Sequence, residues 1–336
     1  MTKKGPVAVI GAGAWGTAIA WSLAENGVDT RLWALEPEVV ESVNRDRENS
    51  VFLPGVKLPD NLLATDDLGE ATKNVKLVVF VVPSQFMRGM LERLAKVMPE
   101  DAILLSAVKG IETETLALPA DMIRDIMPKS VAEKSCYLSG PTFAKELAHR
   151  VPTAAAIASK NLEAVKLAQS VLSAPYFRLY THADVVGVEL GGAVKNVMAV
   201  AAGISDGLGF GHNTRAALIT RGLHEMTKLG VSMGADERTF AGLAGMGDLL
   251  LTCTGDLSRN RNVGMRLGRG EKIDEIKKSM TAVAEGVATA LSVYHLAKKQ
   301  KVDMPIANEV YRVIYEGKDP KAVVEGLMSR SLKPEF

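Results

Sequence analysis

Hydrophobic and polar positions in the first half of the chain follow two alternating patterns. Short apolar runs rich in β-branched residues are separated by segments in which apolar residues recur at helical spacing. This alternation is typical of a parallel sheet that is covered by helices. Strands are predicted at residues 7–10, 30–33, 77–82, 103–106, 136–139, 154–158 and 177–180. Helices are predicted between them at residues 17–25, 87–96 and 116–127.

The pattern changes after about residue 183, where the β-branched runs give way to helical periodicity. Helices are predicted at residues 185–204, 214–229, 283–299 and 308–316, and a long glycine-rich loop at 243–270. The predicted fold class is α/β: an N-terminal Rossmann-like, doubly wound, mostly parallel sheet with a second, all-α domain. We place a dinucleotide-binding domain at residues 1–183 and a helical substrate and catalytic domain at residues 184–336.

The first predicted strand runs directly into a glycine turn. Gly11, Gly13 and Gly16 have the GxGxxG spacing, and a helical segment follows them. In this context the glycines allow a tight turn, close approach of the backbone to a pyrophosphate, and close packing of the helix on the strand. The turn therefore predicts a dinucleotide site.

The end of the second predicted strand bears on the choice between NAD and NADP. Glu36 lies twenty residues after Gly16, where an acid can bond the ribose hydroxyls, which favours NAD. Alternatively, Glu36 is simply an acid that precedes Pro37 at the start of the next helix. The residues leave both interpretations open.

Two lysines lie at positions that suggest a functional role: one within an apolar helix and one at the edge of the predicted sheet. Lys195 lies in the middle of the apolar helix 185–204, and Gly191 and Ala199 leave room on its face. Burial disfavours the charged form of a lysine, which suits proton transfer, although a snorkelling or ion-paired lysine is the alternative. Lys109 follows the predicted strand 103–106, at the carboxyl edge of the sheet, where open α/β folds bind ligands.

Two further segments offer polar groups for a substrate. Gly140 and Thr142 follow another predicted strand, at the same carboxyl edge, although alone they would be interpreted as a turn and a helix cap. Ser258, Arg259 and Asn260 offer a hydroxyl, a guanidinium and an amide at a predicted helix start, which suits a phosphate monoester. The alternative is a solvated, serine-capped helix with surface arginines.

Asp248 lies in the glycine-rich segment 243–270, between the two predicted helical regions. Its carboxylate is a candidate partner for one of the two lysines, or a group that orients a substrate hydroxyl. The alternative role is that of another helix N-cap. These roles remain open at the level of the residues.

Composition and charge exclude several classes of protein. The chain has 336 residues, 47% hydrophobic and 24% charged, with a formal net charge of +1, which is not the footprint of a nucleic-acid binder. We therefore expect no nucleic-acid partner. The two cysteines, Cys136 and Cys253, are far apart and without a CxxC pair or a histidine cluster. We expect no disulfide framework, no metal site and a cytoplasmic location.

Neither a membrane span nor a signal peptide is predicted. The longest apolar stretch contains Glu189 and Lys195, and charges are costly in a bilayer. At the start of the chain, Lys3 and Lys4 precede an apolar run that enters the glycine turn instead of a long apolar region, so we expect mature protein there.

Seven segments, in this order and with matching spacing, resemble the glycerol-3-phosphate dehydrogenase family: GAGAWGT, NSVFLPG, SAVKGIE, SGPTFAKE, GVELGGAVKNVMA, AGMGDLLLTCT and SRNRN. The resemblance covers nearly the whole chain and is closest to the bacterial cytoplasmic branch. It implies reversible reduction of dihydroxyacetone phosphate to sn-glycerol 3-phosphate by NADH or NADPH, so that the cofactor is NAD or NADP, supplying glycerophospholipid synthesis. It also implies that the protein is a homodimer. The ligand that it implies, besides the dinucleotide, is a small phosphorylated three-carbon substrate.

The resemblance further implies a role for individual residues, with Lys195 as the proton-transfer group. Substrate positions are Lys109, Gly140, Thr142, Lys195, Asp248, Ser258, Arg259 and Asn260. Cofactor positions are Gly11, Gly13, Ala14, Trp15, Gly16, Leu35, Lys109, Ala144, Arg259, Val283 and Glu285. Members that favour NADPH often carry a basic residue around Leu35 or Glu36, and this chain has none there, so the preference between NADH and NADPH stays open.

Three other classes of protein compete with this interpretation. Dehydrogenases of 6-phosphogluconate and of hydroxyacids have a lysine helix resembling GxxxKxxNN, whereas here Asn196 directly follows Lys195. Sugar-nucleotide dehydrogenases need a nucleophilic cysteine, for which Cys253 is the loop candidate, although we expect a buried, inert thiol. A non-catalytic dinucleotide-sensing protein would not need both lysines and the arginine segment.

Overall fold

The computed structural model describes residues 5–280, 283–332 and 334–335, so Lys3 and Lys4 lie outside the described residues. The chain divides into two compact units. The first comprises Met1–Lys109 and Ala117–Glu189, and the second comprises Gly110–Leu116 and Leu190–Phe336. The domain boundary after residue 183 stays a prediction.

In the described part of the first unit, eight strands form a single sheet in the order β3-β2-β1-β4-β5-β6-β7-β8. Among the neighbouring pairs of these described strands, β6–β7 alone is antiparallel, so β7 and β8 run opposite to the other six strands. The predicted mostly parallel sheet is confirmed. The strands are β1 Val7–Ile10, β2 Thr30–Trp33, β3 Leu62–Thr65, β4 Leu77–Phe80, β5 Ile103–Ser106, β6 Cys136–Ser139, β7 Thr153–Ala158 and β8 Phe177–His182.

Edge strand β3 was not predicted from the sequence, whereas the central strands were. Strands β1, β4, β5 and β6 are buried throughout, because neighbours cover both of their faces, and such strands have continuous apolar runs. Strand β3 is only four residues long and Leu63 is exposed, so its apolar signal is weak.

Eight α-helices lie along the described part of the first unit before the long helix that follows β8. They are α1 Ala14–Glu25, α2 Pro37–Glu41, α3 Leu68–Thr72, α4 Met87–Leu94, α5 Pro119–Ile126, α6 Lys129–Ala132, α7 Ala144–Ala148 and α8 Leu162–Leu172. The predicted start of the third helix at residue 116 is wrong. Leu116 has φ of +63°, and α5 begins at Pro119, whose fixed φ suits a first helical position.

The second unit contains helices and no strand within its described ranges, as expected of an all-α domain. Helix α9, Val185–Gly207, begins in the first unit and continues into the second. The remaining helices are α10 His212–Ser232, α11 Glu237–Phe240, α12 Asp248–Thr254, α13 Arg259–Gly268, α14 Ile273–Lys278, α15 Glu285–Gln300, α16 Pro305–Tyr315 and α17 Pro320–Met328.

The predicted loop at residues 243–270 is wrong, because it contains helices α12 and α13. Its glycines were interpreted as turn signals, but two of them are packing residues. A Cβ at Gly264 would lie 2.0 Å from the Val200 carbonyl oxygen, and one at Gly268 would lie 2.4 Å from that of Ile204. Glycine is required there because α13 lies against the backbone of α9.

Helix α9 is long and apolar enough to meet the length and composition of a membrane span. Within the protein, however, 94% of its most apolar window is buried. A helix that is apolar on all sides and enclosed by other elements is typical of the core of a large folded protein.

Candidate active site

The glycine turn joins β1 to α1, and each glycine has a separate steric reason. Gly11 has φ of +112°, and a Cβ there would lie 2.7 Å from the Val81 carbonyl oxygen. A Cβ at Gly16 would lie 1.9 Å from the Gly11 carbonyl oxygen. At Gly13, by contrast, a Cβ would meet none of the described residues within 4 Å, so this face of the turn is open to a ligand.

The first turn of α1 fits the pyrophosphate of a dinucleotide. Among the described residues, no side chain caps this turn and no acid lies in it, so its backbone N–H groups and the helix dipole favour an anion. The indole Nε1 of Trp15 is buried and has no hydrogen-bond partner in the described part of the chain. The residues of this turn therefore fit a bound dinucleotide phosphate.

Asn49 supports the turn from outside the glycine motif. Its Nδ2 donates to the Ala12 carbonyl oxygen and to the Thr17 Oγ1, both at 2.8 Å, and the residue is fully buried. Thr17 Oγ1 also donates to the Ala12 carbonyl oxygen at 3.0 Å. Asn49 was not predicted as a site residue, because its contacts span more than thirty residues of sequence.

Leu35 and Glu36 lie just beyond the end of β2, separated from its last residue, Trp33, by Ala34. Leu35 is 64% exposed, and Glu36 is the N-cap residue of α2, with Pro37 at the first helical position. Within the described residues, the Glu36 side chain makes no capping hydrogen bond. Its location is compatible both with binding a ribose and with a simple helix start.

Lys109, Gly140 and Thr142 come together at the carboxyl edge of the sheet. Lys109 Nζ donates to the Gly140 carbonyl oxygen at 2.9 Å and to Thr142 Oγ1 at 3.5 Å. Gly140 has φ of +150°, and a Cβ there would lie 2.8 Å from the Ala155 Cα, which explains why glycine is needed. These three predicted residues, from two neighbouring strand ends, form one polar cluster.

Lys195 lies inside the second unit, 6% exposed. Its Nζ donates to Asp248 Oδ1 at 2.5 Å and to Thr252 Oγ1 at 2.8 Å. Of the predicted alternatives for this lysine, snorkelling is wrong, because the ammonium is buried and ion-paired. The Asp248 carboxylate provides a counter-charge and an acceptor for the buried ammonium, which offsets part of the cost of removing it from water.

Gly191, one turn before Lys195, lets α9 approach the segment that carries the partners of Lys195. A Cβ at Gly191 would lie 2.4 Å from the Ala244 carbonyl oxygen, so α9 touches the backbone of the turn that leads into α12. Asp248 begins α12 and Thr252 lies one turn later on the same face, with its Oγ1 donating to the Asp248 carbonyl oxygen at 2.6 Å. Sequence reasoning missed Thr252 because this segment was predicted as a loop. The four-residue spacing of Asp248 and Thr252 places both side chains on one face only if the segment is a helix.

The start of α13 presents the predicted phosphate-binding residues. Ser258 caps this helix, accepting a hydrogen bond from the Arg261 backbone N–H at 3.2 Å. Asn260 Nδ2 donates to Asn196 Oδ1 at 2.8 Å, and Asn260 Oδ1 accepts from the Gly286 backbone N–H at 2.9 Å. Asn260 is therefore firmly oriented beside α9.

Arg259 remains exposed at the surface of the second unit. Desolvation by surrounding protein atoms lowers the pKa of its guanidinium, and the charge of Glu285 opposes this effect. Glu285 begins α15, and Val283 is exposed two residues earlier. The second unit thus holds the predicted cofactor positions Arg259, Val283 and Glu285, and the first unit holds Gly11, Gly13, Ala14, Trp15, Gly16, Leu35, Lys109 and Ala144.

The thiols and acids of the described residues do not provide a nucleophile or a metal site. Cys253 is fully buried within α12 instead of lying on a loop, and burial raises its pKa to about 12. Burial raises the pKa of Cys136 to the same level. Among the described residues, no group of three or more histidine, cysteine or acidic side chains is placed to hold a metal ion.

A Rossmann-like sheet with a glycine turn after its first strand, combined with a helical unit that holds a buried lysine–aspartate pair, defines a dinucleotide-dependent oxidoreductase. Family models sharpen this class. The N-terminal model of NAD-dependent glycerol-3-phosphate dehydrogenase matches residues 6–165, and the C-terminal model matches residues 184–325. The chain belongs to this family.

Individual relatives agree with the family assignment. The glycerol-3-phosphate dehydrogenase (NAD(P)+) of Geobacter metallireducens is 54% identical over 329 residues, and that of Citrifermentans bemidjiense is 53% identical over 329 residues. Both alignments cover 98% of each chain. The crystal structure of glycerol-3-phosphate dehydrogenase from Coxiella burnetii matches with a TM-score of 0.92 and 37% identity, covering 97% of this chain and 99% of that one.

Proposed function

We propose that this protein catalyses the reversible, NAD(P)H-dependent reduction of dihydroxyacetone phosphate to sn-glycerol 3-phosphate. The observation that carries the proposal is the buried ammonium of Lys195, which is held by Asp248 and Thr252. The same unit contains the Ser258–Asn260 segment, whose groups suit a phosphate. Membership of the family supports the same reaction.

Lys195 is the proposed proton donor to the substrate oxygen during reduction, and the proposed base in the reverse direction. When bound, the dinucleotide supplies or accepts the hydride. Asp248 and Thr252 hold the Lys195 Nζ in one place, so the proton is delivered from a fixed atom. The ion pair also supplies a fixed counter-charge beside the buried ammonium from which the proton is donated as the substrate oxygen develops negative charge.

Other residues have separate proposed roles toward the substrate's phosphate and reacting oxygen. Arg259 and Asn260 bind the phosphate, with the capped start of α13 and Ser258 adding N–H and hydroxyl groups. Lys109 stabilises negative charge on the reacting oxygen, and Gly140 and Thr142 fix its ammonium.

The proposed cofactor positions are those named from the sequence. The first turn of α1 would hold the pyrophosphate, and Leu35 and Glu36 would border the adenosine ribose. The acid at Glu36 favours NAD over NADP, because a carboxylate accepts hydrogen bonds from ribose hydroxyls and repels a 2′-phosphate.

The wider setting is part of the proposal. The protein acts in the cytoplasm as a homodimer and supplies glycerophospholipid synthesis. Residues 1–183 serve as the dinucleotide domain and residues 184–336 as the substrate and catalytic domain.

A substrate comparison tests the proposed reaction. Purified protein is mixed with NADH or NADPH and dihydroxyacetone phosphate, and the absorbance of the reduced nicotinamide is followed. Oxidation of 6-phosphogluconate and of a short hydroxyacid is measured alongside with NAD+ and NADP+. We expect turnover with dihydroxyacetone phosphate only. Turnover with either alternative substrate in its place would support a different dehydrogenase, and dinucleotide binding without any turnover would support a sensing protein.

A further inference from the structure

Asp206, near the end of α9, is the centre of a buried ion-pair network that the proposed reaction does not use. Its Oδ2 accepts from Arg261 Nε at 2.8 Å, and its Oδ1 accepts from Arg215 Nη2 at 2.6 Å and Nε at 3.0 Å. The second branch of Arg261 donates from Nη1 to Asp256 Oδ1 at 2.9 Å. The Asp206 and Arg261 side chains are 6% and 10% exposed, whereas that of Asp256 lies in solvent.

Helices α9 and α13 meet at backbone distance beside this network. A Cβ at Gly203 on α9 would lie 2.0 Å from the Arg261 carbonyl oxygen, and one at Gly207 would lie 2.3 Å from that of Met265. On α13, Gly264 makes the reciprocal contact with α9. Close packing at these points leaves α13 little freedom to slide or rotate against α9.

The first turn of α13 connects the network to the proposed phosphate site. Arg259 and Arg261 are two positions apart in the helix, so their side chains lie on opposite faces. Arg259 is exposed, whereas Arg261 is buried against α9. The backbone N–H of Arg261 also donates to the capping hydroxyl of Ser258.

We propose that Arg261 is a positioning residue for phosphate recognition, an inference that rests on the proposed function. The Asp206 carboxylate holds the Arg261 guanidinium on the inner face of α13, which orients Arg259 on the exposed face and keeps Asn260 in its contact with Asn196. Because the charge of Arg261 is already paired, Arg259 supplies the cation that binds the phosphate. Arg261 therefore acts through its neighbours and does not touch the substrate.

The first test is steady-state kinetics of Arg261→Gln. We expect the KM for dihydroxyacetone phosphate to rise about tenfold while kcat changes less than about threefold. The phosphate contact stabilises the bound substrate and the transition state equally, so its loss weakens binding and leaves the chemical step unchanged. The inhibition constant of inorganic phosphate should rise by a similar factor. An unchanged KM, or a lower kcat with unchanged KM, would overturn the proposal.

Two matched controls separate positioning from general damage to α13. Arg266→Gln removes another ion-paired arginine of the same helix, whose partner Glu271 lies just beyond the helix's C-terminal end. Asp256→Asn removes the exposed partner of Arg261 and keeps the buried one. Both controls should keep KM within about twofold of wild type, since ion pairs in which solvent reaches at least one partner contribute little. A tenfold rise in either control would overturn the assignment to the Asp206 contact.

Two further measurements keep the test decisive. If Arg261→Gln does not fold, Arg261→Lys retains the charge but not the two-branched geometry, and its KM should rise by a smaller factor in the same direction. Calorimetric binding of inorganic phosphate to the wild type and the Arg261 variants is independent of turnover. If the wild type does not reduce dihydroxyacetone phosphate, the proposed function fails. Even then, weaker phosphate binding in the variants would support positioning, and equal binding would overturn it.

Discussion

The ammonium of Lys195 lies where a charge is costly, and the contacts around it explain how the fold tolerates it. Removing an ion from water is unfavourable unless a counter-charge and hydrogen bonds replace the lost hydration. Asp248 provides the counter-charge and Thr252 a second acceptor. Removing only the lysine would leave the Asp248 carboxylate buried and unpaired, so substitutions here must be chosen to separate chemistry from folding.

Lys195→Arg tests the proton-transfer role with the charge retained. Arginine does not deprotonate in proteins, so the ion pair with Asp248 persists while proton transfer is lost. We expect kcat to fall by ~10²–10⁴, as for other proton-transfer groups, with the Kd of the dinucleotide unchanged. Stopped-flow or steady-state turnover with dihydroxyacetone phosphate provides the measurement. The control is Lys228→Arg, which makes the same change at an exposed position of α10. Near-normal turnover of Lys195→Arg would rule out Lys195 as the proton-transfer group.

Glu36→Arg tests the preference between the two dinucleotides. We expect the wild type to have the higher kcat/KM with NADH, and the variant to shift the ratio toward NADPH by about tenfold or more, since a guanidinium can pair with a 2′-phosphate. Glu38→Arg, an exposed position in α2, is the matched control and should shift the ratio far less. A wild type that already prefers NADPH strongly would show that Glu36 does not bind the ribose.

At the scale of elements, glycines in helices α9 and α13 stabilise the packing of the two helices, although glycine usually destabilises a helix. Glycine generally disfavours a helix because it exposes backbone and gains no side-chain packing. In this pair of helices, Gly203 and Gly264 allow the two backbones to touch, and this contact holds the start of α13 beside Asn196. Interpreting Gly264, within residues 243–270, as a turn signal therefore contributed to the wrong loop prediction.

Gly264→Ala and Gly326→Ala should change stability in opposite directions. A Cβ at Gly264 would lie 2.0 Å from the Val200 carbonyl oxygen, whereas one at Gly326 in α17 would meet none of the described residues within 4 Å. Overpacking should lower the free energy of unfolding of Gly264→Ala by about 1–3 kcal/mol. Higher helix propensity should raise that of Gly326→Ala by up to ~1 kcal/mol. Urea denaturation measures both, and equal stability of the two variants would contradict the close packing.

At the scale of the whole molecule, buried acids make stability depend on pH. Burial raises the pKa of Glu225 to about 7, although its carboxylate accepts hydrogen bonds from the Ile306 and Ala307 backbone N–H groups at the start of α16. Burial also raises the pKa of Glu189, whose Oε1 accepts from the Ala120 backbone N–H. In both cases the native state favours the protonated acid more than the unfolded chain does.

The sign of the pH dependence follows from Glu225. Its stabilising effect is complete below the unfolded pKa of about 4.5 and is lost as the pH rises through about 7. The loss is on the order of 3 kcal/mol. Glu225→Gln should flatten this part of the stability curve, measured by urea denaturation between about pH 5 and pH 8. Glu325→Gln, which replaces an exposed acid of α17, should keep the wild-type slope. A slope in Glu225→Gln as steep as that of the wild type would exclude Glu225 as a source.

The sequence alone determined those features that local patterns report. Continuous apolar runs predicted the buried strands, because a central strand is covered on both faces. Gly11, Gly13 and Gly16 predicted the dinucleotide turn, because a strand and a helix flank them. Lys195 was identifiable as an anomaly, because a cation in an apolar helix needs a partner.

Tertiary structure alone decided which partners meet. Asp248 was one of several candidate partners for the lysines, and only the packing of α9 on α12 brought it and Thr252 to Lys195. The pairing of Arg261 with Asp206 is equally remote in sequence. Such contacts depend on where helices cross, and helix crossings are set by side-chain volumes summed over many residues, which no local periodicity records.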